Sequence, residues 1–387
     1  MPTLPELGLA LADARDRTDD LFRLVRPDSL YERPIPQRHR ILFYIGHLEA
    51  FDWNLIGRYA LDIRPFHADF DRLFAFGIDP PPGQLPADRP ADWPALAEVE
   101  RYNRRVRDAI DERLDQVPEQ LLHVAIEHRL MHAETFAYIL HQLPYERKRG
   151  AGPEQPAADA RPRASETIAI PAAEVRLGLA VDEAFGWDNE FHAHTVEVPA
   201  FRIGKYKVTN GEYLAFVRAG ANPPFFWIER GGQWFCRAMF AEIPLPMDWP
   251  VYVTQQEAQA YAQWRAKRLP TEAEFQSAAL VTPPEPSGNF DFRRWDPEPV
   301  TAGERPGVPN QLFGNGWEWT STPFAPFPGF EPFPFYTNYS EPFFDGCHYV
   351  LKGASPVTAA ALVRPSFRNW FRPEYPYLYS TFRLVEC

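Results

Sequence analysis

QLLHVAIEHRLMHAETFAYILHQ, residues 120–142, is the stretch that decides how the first part of this chain folds. Apolar side chains at Leu121, Val124, Ala125, Met131, Ile139 and Leu140, with Thr135 on the same stripe, recur at the helical period and predict an amphipathic, mostly buried helix. His128 and His132 ride on that stripe, one HxxxH spacing apart. That spacing advances a helix by about 6 Å and turns both imidazoles to one face, where they can grip one metal ion. Imidazole suits zinc, iron, nickel or copper better than magnesium or calcium. Two core histidines bonded to neighbouring carbonyls would show the same spacing, so a third ligand has to come from elsewhere.

Working outward, residues 4–26 alternate apolar and charged positions at helical spacing and stop at Pro27. A second helix is predicted over Gln37–Leu61, with Phe43, His47, Phe51 and Asn54 on its apolar face. His47 therefore points inward and is the candidate third ligand. An irregular stretch follows, then a proline-rich loop (IDPPPGQLPADRPADWP) and a helix over Ala95–Gln116, ahead of the HxxxH helix after Pro118. Four helices with one long crossover suggest a bundle, and bundles build metal sites from side chains on facing helices.

Length and composition fit this picture and exclude others. A chain of 387 residues is expected to form two domains. A net charge of −12 leaves no basic stripe for nucleic acid. No apolar run approaches a membrane span, and the acidic, polar N-terminus is no signal peptide, so a cytoplasmic protein without membrane partners is expected. Cys236, Cys347 and Cys387, an odd set without CxxC, point to a reducing compartment.

Residues 1–147 are expected to be the helical domain, 148–166 (proline-, alanine- and glycine-rich, without periodicity) a linker, and 167–387 a second domain. From Thr167 short β-rich pieces alternate with turns. TNGEYLAFV opens a helix capped by Thr209 or Asn210, QQEAQAYAQWRAKRL is a second, and TEAEFQSAAL a third with a Thr271–Glu274 capping box. From Pro283 aromatic, proline and glycine loops dominate. The fold class is α+β, with chemistry carried on long loops.

Six ordered phrases in this half, FGWDNE (185–190), AFRIGKYKVTNGEYLAF (200–216), KRLPTEAEF (267–275), GNGWEWTSTPF (314–324), VLKGAS (350–355) and RPSFRNWFRP (364–373), resemble the formylglycine-generating-enzyme/sulfatase-modifying-factor domain, which has a C-type-lectin-like fold. GHLEAFDWNL and EHRLMH in the first half resemble a DinB-type four-helix bundle. A DinB-like bundle fused to this domain is similar to the sulfoxide synthases of ergothioneine biosynthesis. The resemblance implies a non-haem Fe(II) cofactor held by His47, His128 and His132, with O₂ as co-substrate. It implies oxidative joining of a thiol to the imidazole C2 of hercynine. It also implies Tyr336 as proton donor with Tyr339 beside it, and Asn369 and Trp370 facing the substrate; Trp317 and Trp319 are expected in the core. An aromatic cage would hold the trimethylammonium group by cation–π attraction.

The chain departs from that pattern at three places. Met131 stands where the best-known synthases carry a glutamine that bonds the histidine-derived substrate, and a thioether cannot supply that donor. The proline-rich loop offers Arg89 alone where one branch has closely spaced arginines that clamp the carboxylates of γ-glutamylcysteine. Phe371 follows Trp370 where one branch has an aspartate. Each change removes polarity, which points to a small thiol donor such as cysteine, or to a selenosugar as in selenoneine synthases. Competing readings are formylglycine generation, which needs a cysteine pair on catalytic loops, a DinB-type metal-dependent thiol transferase, and a non-catalytic lectin-like binding module.

Overall fold

The computed structural model describes residues 3–76, 84–150, 165–282 and 288–386, which form two compact units, Met1–Ala151 and Gly152–Cys387. Most of the expected linker, the start of the proline-rich loop and Cys387 lie outside the described residues.

The first unit holds α1 (Leu4–Arg23), α2 (Ile41–Asp52), α3 (Ala68–Phe76), α4 (Leu96–Asp111) and α5 (Glu119–Gln142). A Thr3–Glu6 capping box opens α1, and beyond its end Val25 bridges to Lys148. Pro118 precedes α5 and the Leu143–Pro144 step stops it, because a residue before proline leaves the helical region. α1 packs along α5, and α2 packs against α3, α4 and α5. The interior is aliphatic and aromatic, with Leu11, Ile41, Trp53, Val99, Leu122 and Ala137 all buried.

Two expectations are corrected here. The predicted helix over Gln37–Leu61 begins only at Ile41, and from Trp53 to Ala60 it continues as a π-helix. Gly57 in that segment leaves room for the Trp53 indole, since a Cβ there would stand 2.5 Å from that ring. The stretch expected to be irregular contains α3, so the bundle has a fifth α-helix. Its nine residues are too few for periodicity to stand out from the flanking loops.

The second unit is built on two four-stranded sheets. One runs, in spatial order, Thr167–Ile170, Phe201–Gly204, Val385–Glu386 and Lys267–Arg268; the other runs Asn369–Phe371, Tyr349–Ala354, Gly316–Pro323 and Ser380–Thr381. Ile170, Ile203, Phe275, Leu312 and Val385 form one core cluster. α6 (Asn210–Arg218), α7 (Gln255–Trp264) and α8 (Glu272–Val281) each open on a capping box, at Thr209, Thr254 and Thr271; the last was expected from the sequence, and at α6 the N-cap is Thr209 rather than Asn210. Trp317 and Trp319 are buried, and between them Glu318 is paired inside the unit with Lys207 and Arg383 at 2.7 and 2.9 Å. Helical and sheet-bearing halves together make the chain α+β. No helix among the described residues is long and apolar enough to cross a membrane.

Candidate metal centre

His47 sits in the middle of α2 and is buried because its face, at i±4, is lined by Phe43 and Phe51. His128 and His132 lie one turn apart on α5. The three offer ligand nitrogens that all stand within 4.8 Å of one another, the one such His/Cys/Asp/Glu group found among the described residues. His47 Nε2 and His132 Nε2 are 3.2 Å apart. Two nitrogens at about 2.1 Å from one ion, on adjacent corners of an octahedron, would be about 3 Å apart.

The rings are held from behind. His47 Nδ1–H donates to the Phe74 carbonyl at 2.6 Å, which leaves the Nε2 lone pair for a ligand. Phe43 stacks on His47 with centroids 4.8 Å apart, and Phe51 stacks on His128 at 3.4 Å with the planes within 10°. Burial lowers the His47 pKa to about 4 and takes His128 and His132 well below the ordinary value, with the neighbouring imidazoles adding to it. All three are therefore neutral at pH 7, the form that binds metal. Three neutral, desolvated imidazoles with converging nitrogens fit a divalent first-row metal.

Next to the histidines α2 and α5 share a buried charge network that sequence reading missed. Arg129 donates to both carboxylate oxygens of Glu49 at 3.0 and 2.9 Å and to Asp52 at 2.7 Å. Arg107 bridges Glu49 to Asp19 with bonds of 2.6 to 2.9 Å. Burial alone would raise Glu49, but Arg129, Arg107 and Arg15 outweigh it and hold it at about 2. The signal was available: Glu49 and Asp52 are acidic residues within the otherwise apolar run of α2.

The second unit brings its expected residues into one aromatic cluster. Tyr339 stacks on Trp187 at 4.0 Å and meets Trp370 edge-on at 5.2 Å. Tyr336 lies 5.5 Å from Tyr339, and Trp370 stacks on Phe324 at 4.3 Å. Phe371 stacks instead on Tyr375, and Asn369 Oδ1 accepts from the Trp370 amide at 2.9 Å. Burial, then the charge of Asp188, pushes the Tyr336 phenol up to about 12. Asp188, which sequence reasoning passed over, is itself pushed up to about 6 by burial and accepts from Ser340. Met131, one position before His132, is partly exposed.

Comparison with known proteins finds one family in each unit. Residues 10–147 match the DinB superfamily, and residues 153–289 match the sulfatase-modifying factor enzyme 1-like domain. The hercynine oxygenase of Mycolicibacterium thermoresistibile is 32% identical, over 100% of this chain and 95% of that protein. That of Mycolicibacterium smegmatis is 34% identical over 97% of each. The ergothioneine biosynthesis protein 1 of Schizosaccharomyces pombe is 29% identical over 94% of this chain and 54% of that protein.

Proposed function

We propose, for a chain that belongs to the hercynine oxygenase family, that His47, His128 and His132 hold a non-haem Fe(II) and that the protein makes a carbon–sulfur bond with O₂. In the reaction hercynine gives up its imidazole C2–H and a small thiol its S–H. One oxygen atom ends in the product sulfoxide and the other in water, which balances the electrons taken by O₂. Bound iron would supply the site where O₂ is reduced and the thiolate oxidised. The observation that carries the proposal is the convergence of three neutral imidazoles within 4.8 Å, with no carboxylate in the donor set. An all-histidine set leaves more positive charge on the metal than a facial triad with a carboxylate, which suits an anionic sulfur ligand.

The protein groups have assigned roles. Tyr336, kept protonated by its raised pKa of about 12, would deliver the proton that reduced oxygen requires. Trp370 and Tyr339 would face the quaternary ammonium by cation–π attraction, with Asn369 as the polar contact. Met131, beside His132, and Phe371, beside Trp370, offer a substrate no hydrogen bond, which favours a small donor with few charges, such as cysteine. Cytoplasmic location belongs to the same proposal, since a thiol substrate and the free Cys236 and Cys347 call for a reducing compartment.

The experiment is anaerobic reconstitution with Fe(II), followed by O₂ uptake with hercynine and a panel of thiols and selenols. Uptake that needs both hercynine and one donor supports the proposal and identifies the donor; a selenol preference would make the enzyme a carbon–selenium synthase. No uptake with any imidazole would overturn it in favour of a metal-dependent thiol transferase or a binding module.

A further inference from the structure

Behind His47 stands a backbone carbonyl. The acceptor of its Nδ1–H is Phe74, in the last turn of α3. Carbonyls in a last turn lack an intrahelical partner and form the negative end of the helix dipole. A cation on Nε2 makes the Nδ1–H a stronger donor, so this bond tightens as metal binds. The carbonyl reaches His47 because α2 and α3 meet at a glycine: a Cβ on Gly46 would stand 2.5 Å from the Phe74 ring.

Asp71, one turn earlier on α3, fixes the helix in that pose. Its Oδ1 accepts from Tyr102 Oη at 2.8 Å and its Oδ2 from Trp53 Nε1 at 3.2 Å. Its backbone carbonyl accepts from Asn54 Nδ2 at 3.1 Å. Trp53 and Asn54 follow directly on α2, and Tyr102 belongs to α4. Burial, then the Asp71 carboxylate, drives the Tyr102 phenol far above its ordinary pKa, so it remains a donor. These bonds close a loop from His47 to Phe74, along α3 to Asp71, across to Trp53 and Asn54, and back along the helix to His47. Within that loop α3 cannot slide or turn without losing an acceptor for a buried donor, which is costly.

We infer that α3 is the support of the metal ligand and that Asp71 is a positioning residue for His47. By tying α3 to Trp53 and Tyr102, it keeps the Phe74 carbonyl on Nδ1–H and the Nε2 lone pair turned to the metal. The inference rests on the three-histidine reading above.

The test uses the full chain, stripped of metal and titrated with Co(II). The readouts are cobalt affinity, its visible absorption, and the tautomer of His47 read by ¹⁵N NMR before metal is added. Asp71→Ala should weaken cobalt binding about 10–100-fold, alter the absorption and populate the Nε2–H tautomer. Asp71→Asn, which keeps an acceptor, should recover part of the loss, and Tyr102→Phe should show a smaller one. Val106→Ala, which removes buried volume from α4 but no bond to α3, should bind cobalt as the parent does. The inference fails if folded Asp71→Ala, or Tyr102→Phe where the former does not fold, keeps parental affinity and tautomer. It fails equally if Val106→Ala loses as much affinity, because the effect is then general loosening. If the parent itself binds no cobalt, the three-histidine reading is lost, while the tautomer of the metal-free variants still decides the role of Asp71.

Discussion

His47 and His132 face each other Nε2 to Nε2 at 3.2 Å, from α2 and α5, across 85 positions of sequence. Each is neutral by burial, so nothing but a shared proton or a shared cation makes that approach favourable.

Loss of any one imidazole leaves two nitrogens, too few to hold a metal against solvent. His47→Ala, His128→Ala and His132→Ala should each purify with less than about a tenth of the parental metal, since losing a ligand costs at least the roughly 10-fold of losing a group behind one. Elemental analysis after dialysis decides it, and stoichiometric retention by any of the three removes that residue from the donor set.

Without metal, the same burial makes the first unit sensitive to acid. His47 titrates at about 4 in the folded chain against an ordinary 6.5, and the other two shift the same way. Between those values the unfolded chain binds more protons than the folded one. Stability is then complete above about pH 6.5 and falls as pH drops through the window, by about 3 kcal/mol for His47 alone. Urea midpoints of the metal-free protein should fall from about pH 7 to about pH 5, and the triple variant His47→Leu, His128→Leu, His132→Leu should flatten that slope. An unchanged slope would put the acid sensitivity elsewhere.

Arg129 neutralises two buried carboxylates, Glu49 and Asp52. Arg129→Met would leave Asp52 without its cation and Glu49 with Arg107 alone, and should cost about 3–5 kcal/mol in denaturant unfolding. Arg107→Met should cost less, because that side chain is 24% exposed. A loss under about 1 kcal/mol for Arg129→Met would mean that the carboxylates protonate or reach water instead.

The phenol of Tyr336 is assigned to protons rather than to metal. Tyr336→Phe should therefore keep full metal content but change the product detected by mass spectrometry when thiol, hercynine and O₂ are supplied. Parental product in parental yield would retire the assignment.

Trp370 is assigned to the trimethylammonium group. Trp370→Leu should raise KM for hercynine relative to unmethylated histidine by about 2–30-fold, the worth of a cation–π contact of about 0.5–2 kcal/mol. An equal effect on both substrates would mark Trp370 as packing against Phe324 only.

Much of the candidate metal centre was legible in the sequence. A period of 3.6 is a local property, so His47, His128 and His132 could each be placed on an apolar helical face from the residues around it. The capping box at Thr271 was legible for the same reason, since a cap is closed by a side chain three positions away, and at α6 the choice between Thr209 and Asn210 was left to the structure. The Glu49–Asp52–Arg129 network was half legible: acids in a buried run require a partner, but which arginine answers them depends on which helix lies opposite.

The sequence by itself determined the two halves, their α+β character, the three imidazoles and the resemblance that names their chemistry, because patterns and motifs are written in neighbouring residues. Only the tertiary structure decided that α2 widens at Trp53, that a fifth helix fills the stretch after it, and that the Phe74 carbonyl stands behind His47. A backbone carbonyl is the same group at every position, so nothing in the letters distinguishes the one that will accept from a ligand's N–H. That choice is made when Gly46 lets two helices touch and Asp71 fixes where the second one lies.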